Sequence, residues 1–354
     1  LNLLPGSPDG GNNIYTPCEV PGNGPGSTPR HGLYNRAELD ITGDGVTDIT
    51  DDACGDIPNV TMRKDIVSVT PLANGTYNVT YNIIVGNTGG ATGTYSLKDT
   101  PLFDSDVVIL SGTYSGQAVG NMNTSGSTTL ATGTSIGVGV NHLYTVTFNV
   151  RLQLAPGSND PGNNIYTPCE VPGNGPGSTP GHGLYNRAEL DRTGDGITDI
   201  TDDACGDLPN ITMRKDLVTV TSNANGSFRV TYSIIVNNNG GAPGTYTLTD
   251  SPLFDDDVTI TAWDYTFVDV LAGIGNGPAF LGSPAIPINL GTKVLTAGNT
   301  HIYTLGFDIT LNLLPGSPDG GNNIYTPCEV PGNGPGSTPR HGLYNRAELD
   351  ITGD

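Results

Sequence analysis

The sequence predicts an all-β protein built from tandem β-sandwich modules, and three observations lead to that prediction. Several short stretches alternate apolar and polar residues with the period of two that is typical of half-buried strands. No stretch has the sustained three- and four-residue apolar spacing of an amphipathic helix. The chain also contains a long internal repeat, which is typical of arrays of similar modules.

The repeat is recognised from the string Asn-Asn-Ile-Tyr-Thr-Pro-Cys-Glu-Val, which begins at Asn12, Asn163 and Asn322. The first and last 44 residues, 1–44 and 311–354, are identical to each other. We therefore expect one partial and two larger modules: 1–53 as the C-terminal part of a preceding module, 54–203 as one module, and 204–354 as a second module that is cut before its end.

Each module contains the same series of strand candidates, which are rich in Thr, Val, Ile and Tyr and are separated by Gly-rich turns such as Asn74-Gly75. The long candidates are residues 77–83 and 143–152 in the first module, with 228–234 and 301–309 in the second. Shorter candidates are 33–39, 64–70, 94–98 and 107–110. Many short strands with regular turns favour a sandwich.

The five cysteines predict disulfide bonds that hold a Gly- and Pro-rich loop at each module junction. The same number of residues separates Cys18 from Cys54 and Cys169 from Cys205, and the equivalent partner of Cys328 would lie beyond residue 354. Free buried thiols are the alternative interpretation of this pattern. Disulfide bonds would indicate an oxidising location outside the cytoplasm.

An acidic loop follows the Gly- and Pro-rich loop, and its spacing resembles that of a calcium-binding loop with oxygens at positions 1, 3, 5, 9 and 12 and glycine at position 6. The candidate calcium ligands are Asp40, Thr42, Asp44, Asp48 and Asp51, with Asp191, Thr193, Asp195, Asp199 and Asp202 in the second copy. The alternative is a β-hairpin that turns at Asp44-Gly45 and exposes its acids to solvent. Both interpretations hold if the hairpin tip binds the ion.

A covalent cross-link within each module is a further hypothesis. A buried lysine loses its charge, and its neutral amine can attack an asparagine carboxamide when a buried carboxyl group transfers the proton. The residues in the required strand order are Lys64, Asp99 and Asn186, with Lys215, Asp250 and Asn345 in the second module. The alternative is an exposed Lys–Asp ion pair beside an asparagine that bonds to backbone.

Charge and motif content exclude several classes of function. There are 35 acidic and 14 basic residues, so the net charge is −21, and a nucleic-acid partner held by clustered Lys and Arg is excluded. The sequence has no apolar run long enough to span a membrane. It also has no nucleophile elbow, phosphate-binding loop or Ser/His/Asp arrangement, so we expect no enzymatic activity.

The strands Val79-Thr-Tyr-Asn-Ile-Ile-Val-Gly-Asn-Thr-Gly89 and Val230-Thr-Tyr-Ser-Ile-Ile-Val-Asn-Asn-Asn-Gly240 are followed by Asp-Thr-Pro and Asp-Ser-Pro steps and by late Asn-Arg-Ala segments. This pattern resembles the tandem Ig-like "conserved repeat" domain family of unknown function in large prokaryotic surface proteins. The resemblance covers both modules and implies an Ig-like sandwich in an extracellular stalk, fibre or adhesin, with no catalytic residues.

These observations together predict a structural repeat unit of an extracellular or cell-surface filament that contacts neighbouring copies of itself. Disulfides and calcium would stiffen the junctions, and the negative charge would keep filaments apart. The alternative is an adhesin, or an adhesin stalk, that binds a partner through the divergent segments 106–149 and 257–308. Its candidate contact residues are Tyr114, Trp263, Tyr265 and Phe267.

Overall fold

The structure is a computed structural model that describes residues 14–24, 26–154, 162–314, 321–333 and 336–351. All regular secondary structure within these ranges is β-strand, which confirms the all-β prediction. The described residues contain no helix that is long and apolar enough to cross a membrane. The start of the third acidic loop, residues 352–354, lies outside the described ranges.

The N-terminal part forms a three-stranded antiparallel sheet in the order β1-β3-β2, from β1 (Gly22–Asn23), β2 (Asn35–Leu39) and β3 (Ile49–Cys54). Strands β2 and β3 form a hairpin in which Leu39 lies opposite Ile49. The expected two-residue turn at Asp44-Gly45 is wrong, because the connection extends from residue 40 to residue 48. The longer loop is stabilised by aspartate side chains that accept hydrogen bonds from its own backbone, for example Gly43 N–H to Asp40 at 2.6 Å.

The first module contains two five-stranded sheets, in the orders β4-β5-β10-β7-β8 and β11-β13-β12-β6-β9. The strands are β4 (Val60–Pro71), β5 (Tyr77–Asn87), β6 (Gly93–Pro101), β7 (Val107–Gly116), β8 (Gly120–Asn121), β9 (Thr128–Ile136), β10 (Asn141–Leu152), β11 (Gly173–Asn174), β12 (Asn186–Asp191) and β13 (Ile200–Cys205).

The second module has a five-stranded sheet in the equivalent order, β14-β15-β20-β17-β18, and a three-stranded sheet, β19-β16-β21. Its strands are β14 (Ile211–Ser222), β15 (Phe228–Asn238), β16 (Gly244–Pro252), β17 (Val258–Asp269), β18 (Gly273–Leu281), β19 (Ile288–Leu295), β20 (Thr300–Leu311) and β21 (Asn345–Asp350).

The cores follow the alternation that the sequence predicts. On β5, Val79, Tyr81, Ile83 and Val85 are fully buried, and the residues between them are partly exposed. In the second module one core cluster takes side chains from both sheets, including β15 and β20 on one side and β16 and β19 on the other. Two sheets that share one apolar core form a β-sandwich.

Two compact units are recognised from backbone proximity. The first consists of Leu1–Thr70, Asn78–Arg151 and Cys169–Gly206, and the second of Pro71–Tyr77, Leu152–Pro168 and Asp207–Asp354. The module limits 1–53, 54–203 and 204–354 stay a prediction, because each unit includes segments from more than one of these ranges.

The structure joins Cys18 to Cys54 and Cys169 to Cys205. All four cysteines are buried, whereas Cys328 is a free, half-buried thiol. Gly32 lies against the first disulfide with a φ of 50°, and a Cβ atom at this position would be 2.4 Å from Cys18 Sγ. Only glycine therefore permits this approach of the Gly- and Pro-rich loop to the sulfur.

Replacing Cys169 and Cys205 with serine should lower the free energy of unfolding of the first unit by about 2–5 kcal/mol, because the unfolded chain regains the entropy that the disulfide removes. Hydrogen exchange measured by mass spectrometry on the full chain would report this loss in strands β12 and β13. Cys328→Ser is the matched control, since that thiol has no disulfide partner. Equal protection in the double variant and the control would contradict the prediction.

Candidate cross-linking site

The residues of the cross-link hypothesis come together in the first unit from three strands and both sheets. Lys64 lies on β4, at the edge of one sheet, whereas Asp99 and Asn186 lie on the neighbouring strands β6 and β12 of the other. Asp99 is opposite Ala188, and Asn186 is opposite Pro101, so the two side chains are diagonal neighbours on one face. The sequence order therefore places all three groups at one position between the sheets.

The three side chains form one hydrogen-bonded group in a water-excluded position. Lys64 Nζ donates to Asp99 Oδ1, and Asn186 Nδ2 donates to Asp99 Oδ2 at 3.0 Å. All three residues have no exposed surface, so the interpretation as an exposed ion pair is wrong here. The carbonyl oxygen Oδ1 of Asn186 is buried without a hydrogen-bond partner. Asp99 thus contacts both groups that an amide cross-link would join.

Burial makes it easier for Lys64 to lose its proton. Burial lowers the pKa of the Lys64 ammonium, and the negative charge of Asp99 offsets this effect only in part. Lys64 Nζ lies 5.0 Å from the centre of the Tyr81 ring. The backbone N–H of Lys64 donates to Asp202 Oδ2 at 2.6 Å, which attaches strand β13 to strand β4.

The second unit has the same group in the same register. Lys215 on β14 contacts Asp250 on β16, and Asn345 on β21 is opposite Pro252, again diagonal to the aspartate. Lys215 Nζ lies 5.2 Å from the centre of the Tyr232 ring. Burial lowers the pKa of Lys215, and it raises the pKa of Asp250 despite the charge of Lys215.

The two groups differ in how completely they are covered. The Lys64 side chain is fully buried, whereas the Lys215 side chain keeps 12% of its surface. Lys215 and Asn345 line a cavity of about 870 Å³ that Tyr232 and the free Cys328 also border. The side-chain amide atoms of Asn345 are buried and make no hydrogen bond. The group in the first unit is therefore the more completely desolvated of the two.

The tyrosines beneath the lysines were not identified as functional residues from the sequence. Tyr81 donates its hydroxyl hydrogen to the carbonyl oxygen of Leu184, and Tyr232 does the same to Leu343. These bonds attach the strand below each lysine to the segment that precedes each asparagine. The signal that could have found them is the tyrosine in the repeated Val-Thr-Tyr string, since a buried Tyr hydroxyl requires a polar partner.

The acidic loops are exposed, and their carboxylates bond to backbone N–H groups of the same loops. Asp40 accepts from Gly43 and Gly45, and Asp48 accepts from Ile41 at 2.7 Å. The N–H groups of Gly45 and Gly43 lower the pKa of Asp40. Asp191 is held in the same way by N–H groups of its own loop, at Thr193, Gly194 and Gly196.

The remaining predicted ligands do not form a compact cluster of acids. Within the described residues, the acids of neither loop form a group of three whose carboxylate oxygens lie within 4.8 Å of one another. Asp44 and Asp195 each accept one N–H two residues ahead, from Val46 and Ile197. The hydroxyl of Thr42 donates to Asp40, and the hydroxyl of Thr193 donates to Asp191. Asp199 accepts from the N–H of Arg192.

The last predicted calcium ligand of each acidic loop lies on the strand that follows the loop. Asp51 is on β3, where it accepts the N–H of Asp52 at 3.0 Å. Asp202 is on β13 and bonds to the backbone of Lys64. Calcium binding by these loops stays a prediction.

The aromatic residues of the adhesin hypothesis are half-buried. Trp263 stacks on Phe280 with ring centres 4.2 Å apart, and it also stacks on Tyr265 at 6.5 Å. Phe267 packs edge-on against His301 at 5.0 Å. All three candidates on β17 pack against the core cluster, so much of their apolar surface is already used within the module. Tyr114 lies on β7 of the first unit and is half-exposed.

Comparison with known proteins shows no established relative. No protein-family model and no curated protein matches the chain. The solved structures found include xanthan lyase of Paenibacillus, with 12% identity over 81% of this chain and 27% of that chain and a TM-score of 0.16. They also include procruciferin of Brassica napus (8% identity, 72% of this chain, 84% of that chain, TM-score 0.11) and vicilin of Corylus avellana (7% identity, 69% of this chain, 83% of that chain, TM-score 0.09). Scores this low carry no argument about fold or function.

Replacing Asp99 with alanine should lower the free energy of unfolding of the first unit by about 3–5 kcal/mol, because Lys64 would stay buried without its counter-charge. The double variant Lys64→Met/Asp99→Leu should lose less, since it buries no charge. Hydrogen exchange in β4, β6 and β12 of the full chain measures both. Asp44→Ala, at an exposed acid, is the control and should change stability by less than about 0.5 kcal/mol. A single variant as stable as this control would contradict the prediction.

Proposed function

We propose that this chain is a structural repeat unit of an extracellular filament, and that each of its Ig-like modules is locked by an amide bond between a lysine and an asparagine. The observation that carries the proposal is the Lys–Asp–Asn group, which is fully buried in the first unit and recurs at the equivalent positions of the second, where Lys215 and Asn345 are half-buried. A buried polar group of this kind has a desolvation cost, so its presence calls for a function beyond packing.

The cross-link requires only the three side chains. The neutral amine of Lys64 attacks the carboxamide carbon of Asn186, and a new C–N bond forms. Asp99 accepts a proton from the attacking nitrogen and transfers a proton to the nitrogen that leaves. The original C–N bond of the carboxamide breaks, and ammonia departs. One amine and one carboxamide thereby give one secondary amide and one ammonia, with no oxidant and no cofactor.

The position of the bond suits a filament under tension. Lys64 lies on the first strand of its module and Asn186 on a late strand, so most of the module is between the two linked residues. A pulling force along the chain would pass through the amide instead of separating the strands. Forced unfolding depends on the rate at which strands separate, and a covalent bypass removes that step.

Further features fit an extracellular location. Two disulfides are stable in oxidising compartments. The net charge of −21 would keep neighbouring filaments soluble and mutually repelling. Calcium bound at the loops of Asp40 and Asp191 belongs to this proposal as a stiffening element of the junctions, supported by the exposed acids of these loops.

The second candidate function is adhesion through the divergent segments 106–149 and 257–308. The observation that favours it is the stacked, half-exposed aromatic group of Trp263, Tyr265 and Phe280 on strands β17 and β18. Phe280 keeps 39% of its surface, which is unusual for a packed aromatic side chain. This group has no counterpart of the same composition in the first unit, where β7 and β8 carry only Tyr114.

Intact-mass spectrometry of the reduced, unfolded full chain should show a mass lower than the sequence mass by two ammonia molecules, one for each unit. Lys64→Met should restore the mass of one ammonia and leave the cross-link of the second unit in place. Asp44→Asn is the control and should retain both losses. A full-length mass without any loss would contradict the amide bond. A loss of water in place of ammonia would contradict asparagine as the acceptor.

Electron microscopy of the native material should show a uniform filament whose axial repeat matches one or two modules, because tandem modules stack through nearest-neighbour contacts. Tapering stalks that end in a different domain would contradict the filament and favour the adhesin. This measurement is independent of the mass experiment, so the filament and the cross-link are tested separately.

A further inference from the structure

A second cluster of chemistry-bearing residues lies away from the cross-linking site. Asp255, Asp256 and Asp257 connect strand β16 to strand β17 in the second unit. One carboxylate oxygen from each lies within 4.8 Å of those of the other two, and no other group of three or more His, Cys, Asp and Glu side chains in the described ranges is this close. Asp255 and Asp257 are buried, with 2% and 0% of their surface exposed, and Asp256 is exposed.

The buried acids have backbone donors but no basic partner. Asp255 accepts N–H groups from Asp257 at 3.1 Å and from Thr326 at 2.9 Å. Asp257 Oδ1 accepts the N–H of Asn323 at 2.9 Å. No ion pair between these three acids and a Lys, Arg or His side chain occurs in the described part of the chain. The negative charges are therefore close together and uncompensated.

Two oxygens at this position have no partner at all. Asp257 is fully buried, and its Oδ2 atom makes no hydrogen bond. Oδ1 of Asn323, whose backbone bonds to Asp257, is also buried without a partner. A buried oxygen without a donor has a desolvation cost of about 1–3 kcal/mol, and more for a charged group. A bound cation would give a partner to Oδ2 of Asp257, which is one of the three clustered acids, and to Oδ1 of Asn323, whose backbone bonds to Asp257.

We propose that Asp255, Asp256 and Asp257, together with Oδ1 of Asn323, bind a calcium ion. Calcium takes six to eight oxygen ligands from carboxylates, amide oxygens and water, and it tolerates irregular geometry. Magnesium requires a near-ideal octahedron and releases its water reluctantly, so it fits three consecutive acids and one amide less well. This site is distinct from the exposed loops at Asp40 and Asp191, whose carboxylates bond to their own backbone.

The ion would fasten the Asn-, Gly- and Pro-rich segment to the body of its module. Asn323 and Thr326 belong to that segment, and both bond to the acids. Gly321 approaches so closely that a Cβ atom would lie 2.1 Å from Asp257 Oδ1. The segment thus contacts the acids through backbone N–H groups and a glycine, without a lysine or arginine.

The first unit allows an internal comparison. There the equivalent connection between β6 and β7 contains Asp104, Ser105 and Asp106, and both aspartates are buried. Serine replaces the middle, exposed aspartate, so the connection has one carboxylate fewer. Calcium affinity depends on the number of charged ligands, and the tighter site is therefore the one in the second unit.

Isothermal titration of the full chain with CaCl₂, after removal of metal with EDTA, tests the site. Asp256→Asn should weaken the tightest calcium binding by about tenfold or more, because one charged ligand is lost. Asp256 is exposed, so this variant should fold like the parent chain. Asn323→Gly should also weaken binding, since it removes Oδ1 while glycine readily adopts the φ of 61° found at this position.

The matched control is Asp44→Asn/Asp195→Asn, which alters both exposed loops and leaves the buried acids intact. The expected result is that the tightest calcium binding is unchanged in the control and weaker in the two site variants, whereas any calcium held by the exposed loops is weakened in the control. CaCl₂ should also raise the melting temperature of the second unit. The proposal is overturned if the parent chain binds no calcium, or if Asp256→Asn binds as tightly as the parent. Loss of the tightest binding in the control alone would assign that ion to the loops and overturn the proposal as well.

Discussion

The burial of a lysine between two sheets is the constraint on which the arrangement of each module depends. An ammonium group without water requires a counter-charge, and Asp99 supplies it to Lys64 in the first unit. The second oxygen of Asp99 then requires a donor, which is the amide of Asn186. This requirement specifies the register between β6 and β12, because a slip by one residue would turn Asn186 to the opposite face. The same side chains thus set the strand pairing and provide the reacting groups of the proposed cross-link.

The two units share the Lys–Asp contact but differ in the strands that lie beside it. In the first unit, strand β13 lies beside β12, and Asp202 on β13 bonds to the backbone of Lys64. In the second unit no described strand takes this position, and Lys215 borders a cavity. Lys215 nevertheless contacts Asp250. The Lys–Asp contact is therefore present in both units, with and without a described strand in the position of β13.

The positions of the acidic residues in space could be predicted from the sequence only in part. The spacing of oxygen-bearing residues predicted calcium ligands in the loops at Asp40 and Asp191, because such spacing can be read from a sequence. The spatial cluster is instead at Asp255, Asp256 and Asp257, which resembles an ordinary charged turn when read as sequence. The difference arises from the partners. N–H groups of their own loop bond to the loop acids, whereas Asp257 accepts the backbone N–H of Asn323, which is 66 residues away in the chain.

The sequence by itself determined the strands, their inward faces and the pairs of cysteines, because alternation and repeat spacing are local properties of the chain. Only the tertiary structure decided which distant polar side chains meet. Lys64 and Asn186 are far apart in the sequence and lie on strands of different sheets, yet both bond to Asp99 without exposure to water. The reason is physical: burial and reactivity of a strand are set by the strand and sheet that pack against it, and these come from distant parts of the chain.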